Sequence, residues 1–376
     1  MIVRPREPLN RQRRGDALIA PRAAGGASRE LSCVACDNGR PFVPSARASP
    51  TTEAAPLQEA PQRRGSSVET ALATRAPFDL EATVRVLQRR PANRVDLWEH
   101  GRYLRVLATT GGRMLVAAQN HGTIDAPDVR FVVVAGAPAR GNRAGLAQAL
   151  RTILGLDVDP APFARLASAQ PALRPIARTL RGMRPPRFPD LFEAFANVLP
   201  FQQLSLDAGV AIVGRLVDRF GESLAHDGRS YRAFPRAEAI ADAREALLRD
   251  CGLSARKAFA LKRLAHAVAS GALDAARLDA MSTPDALAAL RALPGIGAWS
   301  AALVLLRGFG RLDVFPPGDV GATRGLARLL HLAPGPALER VIERFGDVRG
   351  HLYFCALGAS LVEKGLIQGV PERRRG

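Results

Sequence analysis

Hydrophobic and polar positions of this 376-residue chain follow two different periods. Residues 96–107 alternate apolar and polar side chains around Gly101, which predicts a β-hairpin. Residues 113–119 and 129–134 are further runs of strand length, and residues 144–154 have helical spacing. This part of the chain is therefore predicted to form a small antiparallel sheet with at least one helix.

The spacing beyond residue 159 is almost entirely helical. Breakers interrupt it in the basic segment 181–187 and again at 200–205. The apolar segment 78–90, before the sheet, fits either a strand or a short helix. Helices are predicted at 163–169, 173–180, 191–199, 206–220, 237–249, 255–270, 284–292, 299–308, 321–330, 336–345 and 352–364.

The first 76 residues are rich in Arg, Ala, Pro, Ser and Gly and have no sustained period. Such a segment cannot bury a core, so it is predicted to be a disordered tail. It fits a nucleic-acid-contacting arm, or an over-extended reading frame whose true start is near Val68. The predicted fold class is α+β, with a tail at 1–76, an antiparallel-sheet domain at 77–182 and an all-helical bundle at 183–371.

Charge favours a polyanionic partner. The formal net charge is +18, and 53 residues are Lys or Arg. Only Lys257, Lys262 and Lys364 among them are lysine, so an arginine-biased genome explains the excess about equally well. No apolar run reaches the length of a membrane span, and the N-terminus has no clear signal-peptide core. The default expectation is a cytoplasmic protein without membrane contacts.

Cysteines and histidines do not have metal-site spacing. Cys33 and Cys36 form a lone C-x-x-C in the tail, and Cys251 and Cys355 are far away in sequence. The six histidines are scattered. No disulfide framework and no zinc site are therefore expected.

A tight glycine turn opens a helix at residues 293–302. Gly295 and Gly297 allow unusual backbone angles and leave no side chain between the backbone and a ligand. The free amides of a helix start suit a phosphate group. An ordinary glycine-rich helix connection is the alternative interpretation.

A carboxylate follows this turn on a proline-stiffened loop. Asp319 comes after Pro316-Pro317-Gly318 and precedes a helix, so it is a candidate for chemistry or a helix N-cap, and both roles are compatible. Asp313 is the rival acid, with a structural hydrogen bond expected at a strand-like turn.

Other candidates lie on the helices. Gln202 and Gln203 at the helix break are capping residues, or amides that enter the gap left by an extruded nucleotide. Trp299 packs in a helix interface or walls a base pocket. Four basic residues of the helix predicted at 255–270 form a solvated face or contact phosphates; they are Arg256, Lys257, Lys262 and Arg263.

Together these motifs resemble the helix-hairpin-helix (HhH-GPD) superfamily of base-excision DNA glycosylases, and most closely its DNA-3-methyladenine glycosylase II (AlkA-type) branch. The residues that carry the resemblance lie over about 180 positions in matching order, at 202–205, 252–257, 293–301 and 313–319. Gln88-Arg89-Arg90-Pro91 and Gly101-Arg102-Tyr103 look like the N-terminal domain of the same branch. The resemblance covers all of the chain except the tail.

The resemblance implies a role for several residues. Asp319 would be the catalytic acid of an enzyme that excises alkylated bases from double-stranded DNA. Trp299 occupies the position of the lysine in relatives that also cleave the backbone, which implies a monofunctional enzyme. Trp299 and Leu303 would line the base pocket, where Leu303 and about Leu357 replace aromatic residues. The residues expected to contact DNA are Gln202, Gln203, Ser205, Lys257, Gly295, Ile296, Gly297 and Thr323.

The resemblance also bears on cofactors. The four closely spaced cysteines of the family's iron–sulfur members are missing, so no cofactor is expected. Main-chain carbonyls of Arg291, Leu293 and Gly295 would hold a monovalent cation against a DNA phosphate. A monomer is expected, associated with the nucleoid through DNA. A glycosylase for uracil or an oxidised purine, and a non-catalytic DNA-binding protein, remain as alternatives.

Overall fold

The computed structural model describes residues 68–109, 112–136 and 142–368. Its N-terminal part is a five-stranded antiparallel sheet with the strand order β1-β5-β4-β3-β2. The strands are β1 (Thr70–Leu72), β2 (Leu97–Glu99), β3 (Arg102–Thr109), β4 (Gly112–Asn120) and β5 (Val129–Ala135). The predicted hairpin around Gly101 and the two further strands are confirmed, as is the α+β fold class.

Helices make up most of the remaining described chain. The segment 78–90 forms a helix, and Asp79 caps it by accepting a hydrogen bond from the Ala82 amide at 2.9 Å. The helices are α1 (Leu80–Gln88), α2 (Asn142–Ile153), α3 (Ala161–Ala169), α4 (Arg174–Thr179), α5 (Leu191–Ala196), α6 (Leu206–Phe220), α7 (Ala237–Ala241), α8 (Glu245–Asp250), α9 (Ala255–Ala269), α10 (Ala275–Ala280), α11 (Thr283–Arg291), α12 (Ala298–Val304), α13 (Val320–Leu330), α14 (Pro336–Arg344) and α15 (Gly350–Glu363).

Both faces of the sheet are covered. Alternate residues of β3, such as Tyr103 and Leu107, join the main core with α1 and the helical bundle. The residues between them, such as Leu104 and Val106, pack on a second hairpin, β6 (Ser223–His226) and β7 (Arg229–Arg232). This hairpin lies between α6 and α7, so the helical part of the chain contributes to the packing of the sheet.

Three sequence predictions need correction. The tail boundary at residue 76 is too late, because β1 (Thr70–Leu72) pairs with β5. The helix predicted at 237–249 is two short helices, α7 and α8. The helix predicted at 191–199 ends at Ala196 and is followed by a 3₁₀ turn at Leu199–Phe201. The rest of the predicted tail, residues 1–67, lies outside the described residues.

A buried ionic network joins the sheet to the bundle. Arg105 on β3 donates to Asp96 at 2.7 Å and to Glu193 of α5 at 2.5 Å. Tyr103 donates its hydroxyl hydrogen to Asp96 at 2.8 Å. Burial raises the pKa of Glu193 to about 7, although the Arg105 charge lowers it. The network fixes α5, and with it the helix break after α5, relative to the sheet.

None of the helices in the described part of the chain combines the length and apolar composition that a membrane crossing requires.

Candidate active site

The break between α5 and α6 presents two adjacent side chains to solvent. Pro200 forces a 3₁₀ turn at Leu199–Phe201, and Gln203 has a left-handed φ of 56°. Leu204 is 46% exposed, although it is apolar. Ser205 then caps α6, because its Oγ accepts a hydrogen bond from the Ala208 amide at 3.2 Å. A strained backbone thus holds Gln203 and Leu204 at the tip of the break.

The glycine turn joins α11 to α12 as a helical hairpin. Gly295 has a φ of 76°, and a Cβ added to it would lie 2.7 Å from the Cβ of Ala260 on α9. Gly295 is therefore needed for close packing as well as for its backbone angle. Gly297 precedes α12 and has open space where a Cβ would project. Ile296, between them, is buried and anchors the turn in the core.

Gln202 and Lys257 stabilise this geometry internally. Gln202 Nε2 donates at 2.8 Å to both the Gly295 carbonyl oxygen and Ser300 Oγ. Lys257 Nζ donates to the carbonyl oxygens of Gln202 at 2.6 Å and Pro200 at 3.3 Å. Both side chains are predicted DNA contacts, and the structure shows them cross-linking the break, the hairpin and α9. The side chain of Gln202 is therefore not free to enter DNA.

Asp319 is held by two different donors. It is the N-cap of α13, and its Oδ1 accepts from the Ala322 amide at 2.8 Å. Its Oδ2 accepts from the indole Nε1 of Trp299 at 2.9 Å. The capping interpretation is thus confirmed for one oxygen, while the second is oriented by the hairpin helix.

The carboxylate lies between two depressions. A cavity of about 300 Å³ and an open groove of about 810 Å³ share Phe201, Leu204, Trp299, Asp319 and Gly321 in their linings. The groove is also lined by residues of the break, α9 and the hairpin turn, which are Gln202, Gln203, Arg256, Lys257, Gly295 and Gly297. The cavity is large enough for a small ligand. The arrangement suits a polymer in the groove with one of its groups turned into the cavity.

The sheet domain supplies part of the cavity wall. Arg89 follows α1 in a left-handed conformation, with a φ of 62°. Its guanidinium lies over the rings of Phe201 at 4.6 Å and Phe188 at 5.5 Å. Burial, and then repulsion from Arg307, lower the pKa of Arg89 to about 9, so it stays protonated at neutral pH.

Some of the other residues named from the sequence line the cavity, and others line neither depression. Leu303 and Leu357 line the cavity together with Trp299. Thr323 is half-buried in the first turn of α13, where its amide donates to the Asp319 carbonyl oxygen at 2.9 Å, and it lines neither depression. Asp313 also lines neither of them.

The proposed cation ligands are already engaged in part. The Gly295 carbonyl oxygen accepts from Gln202, and the Leu293 carbonyl oxygen accepts from the Ile296 amide at 3.2 Å. Each of these oxygens keeps a second lone pair that a cation could use, so the cation site stays a prediction and no step is derived through it. Among the described residues, no group of three or more His, Cys, Asp or Glu side chains could hold a metal ion.

Leu204, Arg89 and Arg307 are among the cavity-lining residues that the sequence analysis did not assign to the site. Leu204 carried a signal, since an apolar residue among polar ones at a helix break is expected to be exposed. Arg89 gave none, because the sheet domain brings it to the bundle from more than a hundred positions away. Arg307 gave none either, because arginines are common throughout this chain.

Gly297→Leu is expected to lower DNA affinity by roughly tenfold, for all sequences alike. A Cβ at this position would meet no atom within 4 Å, so the new side chain can project into the groove that Gly297 lines. Fluorescence anisotropy on duplexes with and without a lesion measures the effect. Gly295→Ala is the matched comparison, and we expect it to destabilise the fold by about 1–3 kcal/mol through its left-handed φ and its contact with Ala260. A Gly297→Leu loss restricted to one lesion would contradict the assignment of this groove to phosphates.

Both parts of the chain match sequence models of known protein families. Residues 198–347 match the sequence model of the HhH-GPD superfamily base excision DNA repair protein, and residues 69–190 match that of the AlkA N-terminal domain. A DNA-3-methyladenine glycosylase of Bacillus subtilis is 33% identical over 188 residues, which are 50% of this chain and 62% of that protein. A probable bifunctional transcriptional activator/DNA repair enzyme AlkA of Mycobacterium tuberculosis is 31% identical over 292 residues, or 77% of this chain and 55% of that protein.

A solved structure extends the similarity to the whole fold. The 3-methyladenine DNA-glycosylase from Archaeoglobus fulgidus aligns with 78% of this chain and 98% of its own, at 27% identity and a TM-score of 0.64. The chain thus spans less than two thirds of the two sequence relatives and nearly all of this structure. The two family matches lie in the same order as the sheet domain and the helical bundle. The chain therefore belongs to the HhH-GPD superfamily of base excision DNA repair proteins, in its AlkA-type branch.

Proposed function

We propose that this protein is a monofunctional DNA glycosylase that extrudes alkylated bases from double-stranded DNA and hydrolyses their N-glycosidic bonds. The observation that carries the proposal is the position of Asp319, with one oxygen facing Trp299 at the boundary between the groove and the cavity. The relatives described as DNA-3-methyladenine glycosylases support the choice of alkylated bases.

DNA binding begins in the groove. The hairpin turn approaches a phosphate with its main chain, because Gly295 and Gly297 present no side chains. The target nucleotide leaves the stack, since an enzyme cannot reach its glycosidic bond inside the duplex. Gln203 and the exposed Leu204 fill the vacated space, as apolar wedges do between base steps. The sequence analysis considered Gln202 and Gln203 for this role and did not include Leu204.

Bond cleavage takes place at the mouth of the cavity. Positive charge grows on the sugar as the base departs, and the Asp319 carboxylate stabilises it and orients a water molecule onto it. Trp299 fixes the carboxylate through its indole N–H and offers a ring face for the base to stack on. An alkylated purine is already cationic and leaves readily, so part of the selectivity comes from the lability of its own bond.

We expect no covalent enzyme–DNA intermediate, because no free lysine amine lines the described groove or cavity. Among the described residues that line the groove or the cavity, Lys257 is the only lysine, and its ammonium donates to two carbonyl oxygens. An amine must be deprotonated and free to attack the sugar. We therefore expect the products to be a free base and an intact abasic site.

Incubation with methylated duplex DNA tests the proposal. We expect release of alkylated bases, no strand cleavage without added alkali, and no covalent protein–DNA adduct after borohydride reduction. An adduct that disappears in Lys257→Gln would overturn the monofunctional assignment. Binding without release of any base from a panel with alkylated, deaminated and oxidised bases would favour a DNA-binding protein without glycosylase activity.

A further inference from the structure

One face of α15 brings two hydroxyl groups to the wall of the cavity. Tyr353, Leu357 and Ser360 have the spacing of residues that share a helix face, and all three line the cavity. Each of them is half-buried. Neither the Tyr353 hydroxyl nor the Ser360 hydroxyl has a hydrogen-bond partner among the described residues. Both are therefore free to bind a ligand.

Tyr353 lies at the inner end of the cavity. The mouth is formed by the residues that the cavity shares with the groove, among them Trp299 and Asp319, whereas Tyr353 lines the cavity alone. Burial and repulsion from Arg307 lower the pKa of Arg89, and the phenol oxygen of Tyr353 partly opposes them. This oxygen therefore lies close to the Arg89 guanidinium.

Other polar groups at the inner end are engaged or out of reach. Arg89 donates to the side-chain oxygen of Asn197 at 3.2 Å, and the Asn197 amide donates to the Glu193 carbonyl oxygen at 3.1 Å. The side-chain nitrogens of Arg307 are buried and have no hydrogen-bond partner among the described residues. A ligand can thus bind the Tyr353 hydroxyl without breaking a hydrogen bond within the protein.

Arg89 sets the direction of the phenol hydroxyl. A guanidinium group has donors only, and its positive charge attracts the lone pairs of the Tyr353 oxygen. The hydroxyl hydrogen then points away from Arg89, into the cavity. Tyr353 therefore presents a hydrogen-bond donor to a bound base.

We propose that Tyr353 is a specificity-determining residue, whose hydroxyl donates a hydrogen bond to the exocyclic oxygen of an extruded alkylguanine. The inference rests on the proposed glycosylase function and divides its substrate class in two. Alkylated guanines carry an exocyclic oxygen where alkylated adenines carry an amino group. The amino group of a cationic adenine donates and does not accept, so Tyr353 gives it no such bond.

The position of the base follows from the two ends of the cavity. Asp319 stabilises the sugar, so the glycosidic nitrogen of the base lies at the mouth. The six-membered ring of a purine, which carries the exocyclic oxygen, then points toward Tyr353 at the inner end. Leu303 and Leu357 in the wall are apolar and cannot distinguish an oxygen from an amino group by hydrogen bonding.

Departure of the base strengthens this hydrogen bond. When the bond between the sugar carbon and the base nitrogen breaks, its electron pair moves onto the base. Water adds to the sugar carbon and loses a proton. A cationic alkylguanine thereby becomes neutral, and its exocyclic oxygen gains negative charge. A donor aimed at this oxygen stabilises the transition state more than the bound substrate, and so raises the rate of cleavage.

Tyr353→Phe tests the hydroxyl, because it removes one oxygen atom and keeps the ring. Duplex DNA treated with dimethyl sulfate contains 7-methylguanine and 3-methyladenine, which are both cationic and are compared in one reaction. Chromatography measures each free base released by excess enzyme, corrected for release without enzyme. We expect 7-methylguanine release to slow about tenfold and 3-methyladenine release to change less than about twofold. DNA affinity and melting temperature should stay those of wild type.

Two further variants locate the effect. Tyr231 on β7 packs in the core of the second hairpin, away from the cavity lining, and Tyr231→Phe removes the same atom there. The ratio of the two release rates should equal that of wild type. Ser360→Ala removes the other hydroxyl of the α15 face, about two helical turns from Tyr353. It should shift the ratio by less than about twofold.

The outcomes separate this inference from the proposed function. A wild-type protein that releases neither base would overturn the proposed excision of alkylated bases itself. An active wild type whose ratio is unchanged in Tyr353→Phe overturns only the role of Tyr353, and so does an equal slowing of both bases. Release of 3-methyladenine without 7-methylguanine by wild type, or the same shift in Tyr231→Phe or Ser360→Ala, would also overturn that role.

Discussion

Asp319→Asn should bind lesion-containing DNA and release its base at least about a hundredfold more slowly than wild type. Losing one preorganised electrostatic contact to a developing charge costs about 3–4 kcal/mol, or roughly 10²–10³ in rate. Binding is expected to survive, because a negative charge near the phosphates is removed. Single-turnover base release and anisotropy on the same duplex measure the two effects separately.

The asparagine cannot reproduce both hydrogen bonds of the carboxylate. Its one oxygen can accept from the Ala322 amide or from Trp299, but its NH₂ group cannot accept from the other donor. We expect a stability loss of about 1 kcal/mol from this mismatch, far less than would unfold the protein. Thermal unfolding of the variant must therefore accompany the rate measurement.

Two variants test whether the carboxylate itself matters. Trp299→Phe removes the indole donor and keeps the charge of Asp319, so its rate loss should stay below about tenfold. Asp313→Asn changes an acid that lines neither depression and should turn over almost normally. Near-normal turnover of Asp319→Asn with a loss of turnover in Asp313→Asn would show that Asp313, and not Asp319, is the catalytic carboxylate. Normal turnover of both would contradict the mechanism.

Local sequence patterns predicted the parts of the site that depend on neighbouring residues. Each of these features is determined by residues within a few positions of one another; they are the glycine turn, the proline-stiffened loop before Asp319 and the break at Pro200. The alternation around Gly101 predicted the first hairpin for the same reason. The second hairpin carried an equally clear signal in the Asp227-Gly228 dipeptide, which favours a two-residue hairpin turn. In the structure both residues have positive φ, 46° and 71°, in the turn between β6 and β7.

The contacts of long side chains could not be predicted from local sequence patterns. Nothing near Lys257 or Gln202 in the sequence indicates that each would bond a main-chain carbonyl more than fifty positions away. The tertiary fold supplies those acceptors, and it converts two predicted DNA contacts into supports of the loop that carries Gln203. Arg89 and Arg307 meet at Phe188 for the same reason, from two domains.

Arg105→Met should destabilise the protein by about 3–5 kcal/mol. Arg105 is only 2% exposed. It pairs with Asp96 and Glu193, and its loss leaves two carboxylates buried without a cation. Urea unfolding monitored by circular dichroism gives the free energy of unfolding. A loss below about 1 kcal/mol would mean that the network contributes little to joining the sheet and the bundle.

The stability deficit of Arg105→Met should also depend on pH. Burial raises the pKa of Glu193 to about 7 in the folded protein, above its value in an unfolded chain. The folded state then binds more protons than the unfolded state, so this group's stabilising contribution falls as pH rises between the two values. Without Arg105 the folded pKa rises further, which extends that window upward. The deficit relative to wild type should therefore be larger at about pH 8 than at about pH 5, and an unchanged deficit would exclude Glu193 as the group left unpaired.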